Sequence, residues 1–489
     1  MPNYEQRYLG IIQRIKEQDI RATIRTVRTK GGKASLLFIE QLNDKAALSQ
    51  HIVKPLTEHI IGNLTAENVL EQIITASACY IESDETEIVT HLLAGMAVLI
   101  LSSDDKHIVI NVKKVEKRTV AKPELTYTLR GPKDCFTENL DTNLSLMRYR
   151  IKSSDLKIDM VQVGTRTRTN VAIMYFEDVA NDTCVQEVKK RINKIDIDGI
   201  VESGELQAFM LNDKRDLFPQ TGLVERSDMA CGAILEGKVV VLVEGSGLAL
   251  VAPKVFSEYI WTCEDFYDSK YLGFFMRLLR VLALFFSFTL SSAYVAIVSF
   301  HSDTLPSDYL IALAEMRAKV PFNALVEVLL IEIIIQFIRD ALIRVPTKMG
   351  SAIGIVGAII IGQAAISAGI FSPLLLIVLS VSLIASFLPS DYTLYNAFRV
   401  LKFGLIIASG TFGFYGFTLV LTLILANMVS INTFGVPYLA PFAPFNMHDA
   451  TKSFFYSKSM APRRPYYMKT KDKFRSNPLL QVLRKHQDE

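Results

Sequence analysis

The chain has 489 residues, 53 Lys and Arg against 50 Asp and Glu, and 50% hydrophobic residues with a positive mean hydropathy. A net charge of +3 says little about partners, but this apolar content excludes an ordinary soluble chain of this length. The five cysteines (Cys79, Cys135, Cys184, Cys231, Cys263) are odd in number, lack CxxC spacing and all precede the most apolar third, so they read as reduced thiols and not as a disulfide frame or zinc site.

Residues 1–34 are basic and polar without a sustained apolar stretch, so no signal peptide is expected there. They read as a solvated, partly helical N-terminal arm, open to contact with anionic lipid, and the region that follows is expected in the cytoplasm. A weak internal repeat comes next. "LLFIE" (36–40) and "IMYFE" (173–177) each lead from a strand into a helix, and "LLAGMAVLILSSDDKHIVINV" (92–112) resembles "ILEGKVVVLVEGSGLALVAP" (234–253). Both of the longer segments read as helix end, Gly, apolar strand, turn and second strand. Two related α/β modules are therefore expected, 35–150 and 155–260. "EGSG" suits a hairpin turn, with a phosphate-cradling loop as the alternative. No P-loop, GxGxxG, HExxH or GxSxG motif is present, and the seven histidines lack metal-ligand spacing. Nothing points to an enzyme, a cofactor, a metal or nucleic acid.

From about residue 275 to 447 the chain reads as a helical membrane domain. Val281–Phe300, Ile353–Pro389 and Phe403–Met447 contain no Asp, Glu, Lys or Arg, and a bilayer core needs about 20 apolar residues per helix. Five candidate spans follow: 281–300, 322–338, 353–371, 373–389 and 403–428. The second is the weakest, since Glu327, Glu332, Arg339 and Asp340 would each cost about 2.5 to 3.5 kcal/mol at a helix centre. It is expected to be an amphipathic helix at the interface or sheltered in an assembly, leaving about four spans. Residues 448–489 form a basic tail: from 451 onward ten Lys or Arg face three acids, which assigns it to the cytoplasm. Two cytoplasmic ends require an even number of crossings.

The runs "RGPKDCFTEN" (130–139), "VERSDMACGAILEGKVVVLVEGSGLALVAPKVF" (224–256), "IGIVGAIIIGQAAISAGIFSP" (353–373) and "TFGVPYLAPFAP" (433–444) together resemble the A subunit of GerA-type spore germination receptors. Cys135 stands where that family usually has Gly, and Ser227 where it usually has Pro. The resemblance implies a multi-pass protein of the spore inner membrane, partnered by a transporter-like B subunit and a lipoprotein C subunit. It implies nutrient sensing by the complex, and a ring of A subunits, possibly a pentamer, around an ion-conducting path. A solute transporter, or an accessory germination channel homologue without a dedicated nutrient partner, is the alternative; few spans and no inverted repeat weigh against the transporter.

Gln363 is the one amide in an uncharged run. At 100° per residue, Gly350, Gly354, Gly357, Ala365 and Gly369 share a small-residue arc suited to close helix packing. Gln363 points away from it, beside Val356 and Ile360. An amide facing bare lipid would leave polar groups unpaired, so Gln363 is expected to bond another helix or to line a conducting path whose aliphatic neighbours gate by dewetting. Glu332, Gln336 and Arg339 form a second polar stripe, which with Glu327 reads either as a surface face or as an acidic cation path or intersubunit ion pair.

Overall fold

The computed structural model describes residues 4–17, 22–29, 32–40, 42–58, 65–76, 78–112, 131–211, 216–266, 269–344, 362–389, 391–454 and 464–472. The chain divides into two units: Met1–Leu211 with Thr221–Pro253 and Arg463–Glu489, and Asn212–Gln220 with Lys254–Pro462.

The first unit holds two five-stranded antiparallel sheets. In the first, β1 (Thr23–Thr29), β2 (Gly32–Phe38), β3 (Cys79–Glu82), β4 (Ala97–Leu101) and β5 (His107–Ile110) lie in the order β1-β2-β4-β5-β3. Helix α1 (Tyr4–Glu17) packs Ile11 and Ile15 against Leu37, Val98 and Ile100 on one face, together with Ile88 and Leu92 from α5 (Ile88–Leu93). The opposite face carries the helical segment that includes α2 (Lys45–Leu48), α3 (Lys54–Glu58) and α4 (Ala66–Asn68), with Leu48, Leu56 and Val69 on Leu36, Leu99 and Ile108. With both faces covered, β4 reads as the unbroken apolar run AVLIL, all of it buried.

The second sheet repeats the pattern. Its strands β6 (Leu156–Val163), β7 (Thr169–Phe176), β8 (Gly222–Val224), β9 (Val239–Val243) and β10 (Ala249–Ala252) lie in the order β6-β7-β9-β10-β8, which is the first order shifted by five. Helices α6 (Leu140–Arg150), α7 (Asp182–Asn193), α8 (Ser203–Phe209) and α9 (Ser227–Leu235) accompany it. Two expected boundaries are corrected. Residues 1–34 are not a solvated arm: they supply a core-packed helix and an edge strand, because Ile11, Ile15 and Val27 are buried against the sheet. Helix α6, placed by sequence in the first module, buries Leu140, Leu144 and Met147 among Ala172, Met174 and Leu242 of the second sheet.

Part of the basic tail also belongs to this unit. Lys471 pairs with Asp182 at 2.7 Å, its backbone N–H donates to Val179 O at 3.0 Å, and Asn181 donates to Met468 O.

The second unit is helical: α10 (Lys270–Phe300), α11 (Ser307–Arg317), α12 (Ala324–Arg344), a helix described over 362–367 (α13), α14 (Pro373–Ala385), α15 (Tyr392–Ser430) and α16 (Met447–Phe454). Among the described residues, two helices, α10 and α15, are long and apolar enough to cross a membrane. The sequence reading of 403–428 as one straight span is corrected. A straight helix of 39 residues would extend about 58 Å, yet Phe218 packs on Phe398 near its start and on Tyr438 just beyond its end. The helix folds back at Gly413 (φ 63, ψ −143), a conformation only glycine adopts readily. The arms close so tightly at Gly416 that a Cβ there would lie 2.1 Å from the Ala408 carbonyl oxygen.

A second hairpin, β11 (Asn432–Thr433) and β12 (Val436–Pro437), turns through Phe434 (φ 53) and Gly435 (φ 83). It seats the "TFGVPYLAPFAP" run against the Lys254 segment. The Tyr438 carbonyl accepts from Phe256 N at 2.8 Å, and Ser257 donates to Ala440 O. Lys254 reaches Asp391, the N-cap of α15, at 2.5 Å.

Candidate functional site

Helix α12 shows its faces in reverse of a soluble helix. Val326, Leu330, Ile333 and Phe337, spaced as one helical stripe, are exposed, whereas Glu327 and Glu332 are buried at 0% and 8% exposure. The helix packs against α10 and α15. Glu327 and Glu332 therefore do not lie on the exposed face, the first of the two arrangements the sequence left open. The carboxylates turn inward because partners wait there, and burying a charge without one is costly.

Glu332 meets Lys402 of α15 at 2.5 Å and accepts from Ser291 of α10 at 2.8 Å. The same ammonium donates to Ser382 of α14 at 2.9 Å, and Ser382 in turn donates to the Ser287 carbonyl of α10 at 2.9 Å. One network thus ties four helices. Glu327 accepts from the backbone N–H of Ser372, the N-cap of α14, at 2.6 Å, and lies 3.5 Å from Arg317 of α11. A carboxylate there also suits the positive end of the α14 dipole. Arg317, Ser291, Ser382 and Lys402 were missed by sequence reasoning. Lys402 left a signal, as the cation immediately before an uncharged run, while its partner lies 70 residues upstream.

Gln363 is helical and exposed, and it makes no hydrogen bond among the described residues. Val356, Ile360, Gly350, Gly354 and Gly357 lie outside the described residues. Ala365 is buried with Val328, Ile331 and Leu375 of its own chain. Gly369 does not continue the packing stripe: its φ of +68 stands just past the end of α13, where a left-handed residue terminates the helix. Glu332, Gln336 and Arg339 line one small cleft.

In the sheet unit, the recognised runs at 130–139 and 224–232 lie side by side. Phe136 N donates to Glu225 O at 2.7 Å, Cys135 bridges Arg226, and Arg150 joins Asp134 to Ser227. Ser227, the departure from the family pattern, thereby supplies a hydroxyl to the joint. Buried Arg226 forks onto Asp228 at 2.7 and 3.0 Å. The "EGSG" turn is closed by its own neighbours: Ser246 donates to Glu202 at 2.8 Å, and that carboxylate would repel a phosphate. Burial pushes the Cys184 and Cys231 thiols up to about 12 and Cys135 to about 11, so these thiols stay protonated and inert at neutral pH.

Residues 11–468 match the family model of the Bacillus/Clostridium GerA spore germination protein. The chain is 33% identical over 444 residues to spore germination protein KA of Bacillus subtilis, covering 90% of this chain and 82% of that one. It is 32% identical over 455 residues to spore germination protein GerLA of Bacillus cereus, covering 92% of each. Among solved structures, the N-terminal domain of the A subunit of the Bacillus megaterium spore germinant receptor GerK3 is 25% identical, covering 50% of this chain and 94% of that domain with a TM-score of 0.37. A match over nearly the whole length, with relatives above 30% identity over most of both chains, makes the chain a member of the GerA spore germination protein family.

Proposed function

We propose that this chain is the A subunit of a nutrient-responsive germination receptor in the spore inner membrane. Its copies form a ring around an ion-conducting path, and a transporter-like B subunit and a lipoprotein C subunit complete the complex. The observation that carries the membrane reading is the inside-out face pattern of α12: charges paired inward and an apolar stripe outward suit a lipid surround and would be unfavourable in water. The docking of residues 464–472 on the sheet unit keeps the tail and the N-terminal region on one side, in keeping with an even number of crossings and a cytoplasmic location for both.

The path itself is assigned to Gln363 with Val356 and Ile360. Glu327 and Glu332 each have a basic partner within the chain, so neither is a free acid that selects cations. The exposed Gln363 is left as the amide in need of a neighbouring copy or water, and a ring of such amides beside aliphatic constrictions gates by dewetting. Replacing Gln363 with Leu tests this. Receptor abundance is expected to stay normal while nutrient-triggered cation release slows. Normal abundance with normal release would refute the path, and reduced abundance alone would assign Gln363 to helix packing.

A further inference from the structure

The cleft between α12, α14 and the first arm of α15 holds more positive charge than its carboxylate can balance. Glu332 is its one acid, while Lys402, Arg339 and Arg399 are its cations. Lys402 is consumed by Glu332. Arg339 donates to the neutral hydroxyl of Ser386 at 2.8 Å and lies over the Tyr395 and Phe387 rings at 4.9 and 5.2 Å, so no anion among the described residues answers it. Its Nε is buried with no partner among the described residues. Arg399 makes no hydrogen bond or ion pair among the described residues. Two arginines thus line one cleft, and Arg339 lies against Phe387, 70% exposed.

We propose that this cleft binds the phosphate of an anionic phospholipid headgroup, an inference that rests on the membrane reading above. Guanidinium forks match phosphate oxygens two by two, and a low-dielectric surround strengthens each such contact. Size decides where the ligand sits. The inner space between the helices is about 10 Å³, room for about one water, so a bulky ligand cannot enter and the phosphate group lies at the mouth. From there acyl chains run along exposed Phe387, Ile384 and Phe337. The site fixes the end of α12 to the start of the α15 hairpin, beside the Glu332–Lys402 pair.

The test uses the purified full chain in nanodiscs of phosphatidylcholine, with or without about one third phosphatidylglycerol. The anionic lipid is expected to raise the melting temperature by about 3 °C or more, and Arg339→Gln with Arg399→Gln to lose at least half of that shift while still assembling. Single Arg399→Gln, at an unpaired residue, guards against a variant that fails to fold and should lose part of the shift. Failure to enter discs of either composition would overturn the membrane reading itself. Entry with equal melting in both discs would overturn the lipid site alone. An equal shift from inorganic phosphate in phosphatidylcholine discs would identify a free anion as the ligand and overturn the lipid source. A fall in copy number in the double variant, with the lipid shift intact, would assign the cations to a neighbouring chain and refute the proposal.

Discussion

The two units bury charge in opposite ways. In the sheet unit, apolar strands such as β4 and β9 form the interior, and charges staple loops: buried Arg226 forks onto Asp228 two residues away, and half-buried Arg150 joins Asp134 to the start of α9. In the helical unit the apolar residues cover the outside as well, and buried ion pairs tie one helix to another: Glu327 to Arg317 ten residues before it, and Glu332 to Lys402 seventy residues after it. Arg150 and Asp134 keep 23% and 33% of their side chains exposed, so a charge orphaned at that joint lies within reach of water. One inside the helical unit does not, so the same substitution should cost more there.

The largest expected effect comes from the hairpin. Gly416→Val forces a side chain onto the Ala408 carbonyl, and Gly413 already holds a backbone angle unsuited to other residues, so the arms cannot close. Loss of detectable folded protein in membranes is expected; normal abundance would mean that α15 is not folded back. Next comes Lys402→Met, which leaves Glu332 buried without its cation and should destabilise by about 3 to 5 kcal/mol. Adding Glu332→Leu should recover most of that loss, as removing both partners of a buried pair is often neutral. Thermal melts in detergent of the single and double variants read the difference. Equal loss in both would mean that the charges do not depend on each other.

A smaller effect distinguishes the sheet unit by pH. Burial raises the Asp134 pKa, but hydrogen bonds and charge from Arg150, with Ser227, outweigh it and hold the carboxyl below its usual range. Glu202 is likewise lowered, burial being outweighed by Ser203, the Gly204 N–H and Ser246. A depressed carboxylate contributes stability that is present above its unfolded value, about 4, and is lost as pH falls through the folded value. Melting temperature should therefore fall as pH drops below about 4, and Asp134→Asn should flatten that decline. An unchanged profile in the variant would remove Asp134 from the account.

The repeat was legible because each sheet keeps its helix-end glycine and paired apolar strands, and the same order of hydrogen-bonded neighbours follows. The helical unit was legible as apolar, but its folding was not. Gly410, Gly413 and Gly416 sit in an uncharged run that reads equally as a straight span, since glycines are tolerated within membrane helices. The clue lay in length: an apolar helix about twice the bilayer thickness has to fold back or leave the membrane. Residues 1–34 misled because their charges are frequent, while Ile11, Ile15 and Val27, which bury them, are few. Glu327 and Glu332 read as costly or pore-lining because periodicity displays one helix at a time and cannot show Arg317 or Lys402 waiting on another.

In the proposed ring, Gln363 faces its own copies. Gln363→Cys with Cys79 and Cys263 replaced by Ser, treated in spore membranes with a short bis-maleimide, measures that directly, because the buried Cys135, Cys184 and Cys231 thiols stay protonated and add little background. Covalent dimers of the chain are expected from Gln363→Cys, and none from Ile384→Cys on the exposed face of α14. Cross-linking absent from both variants in receptors that still trigger germination would contradict the ring.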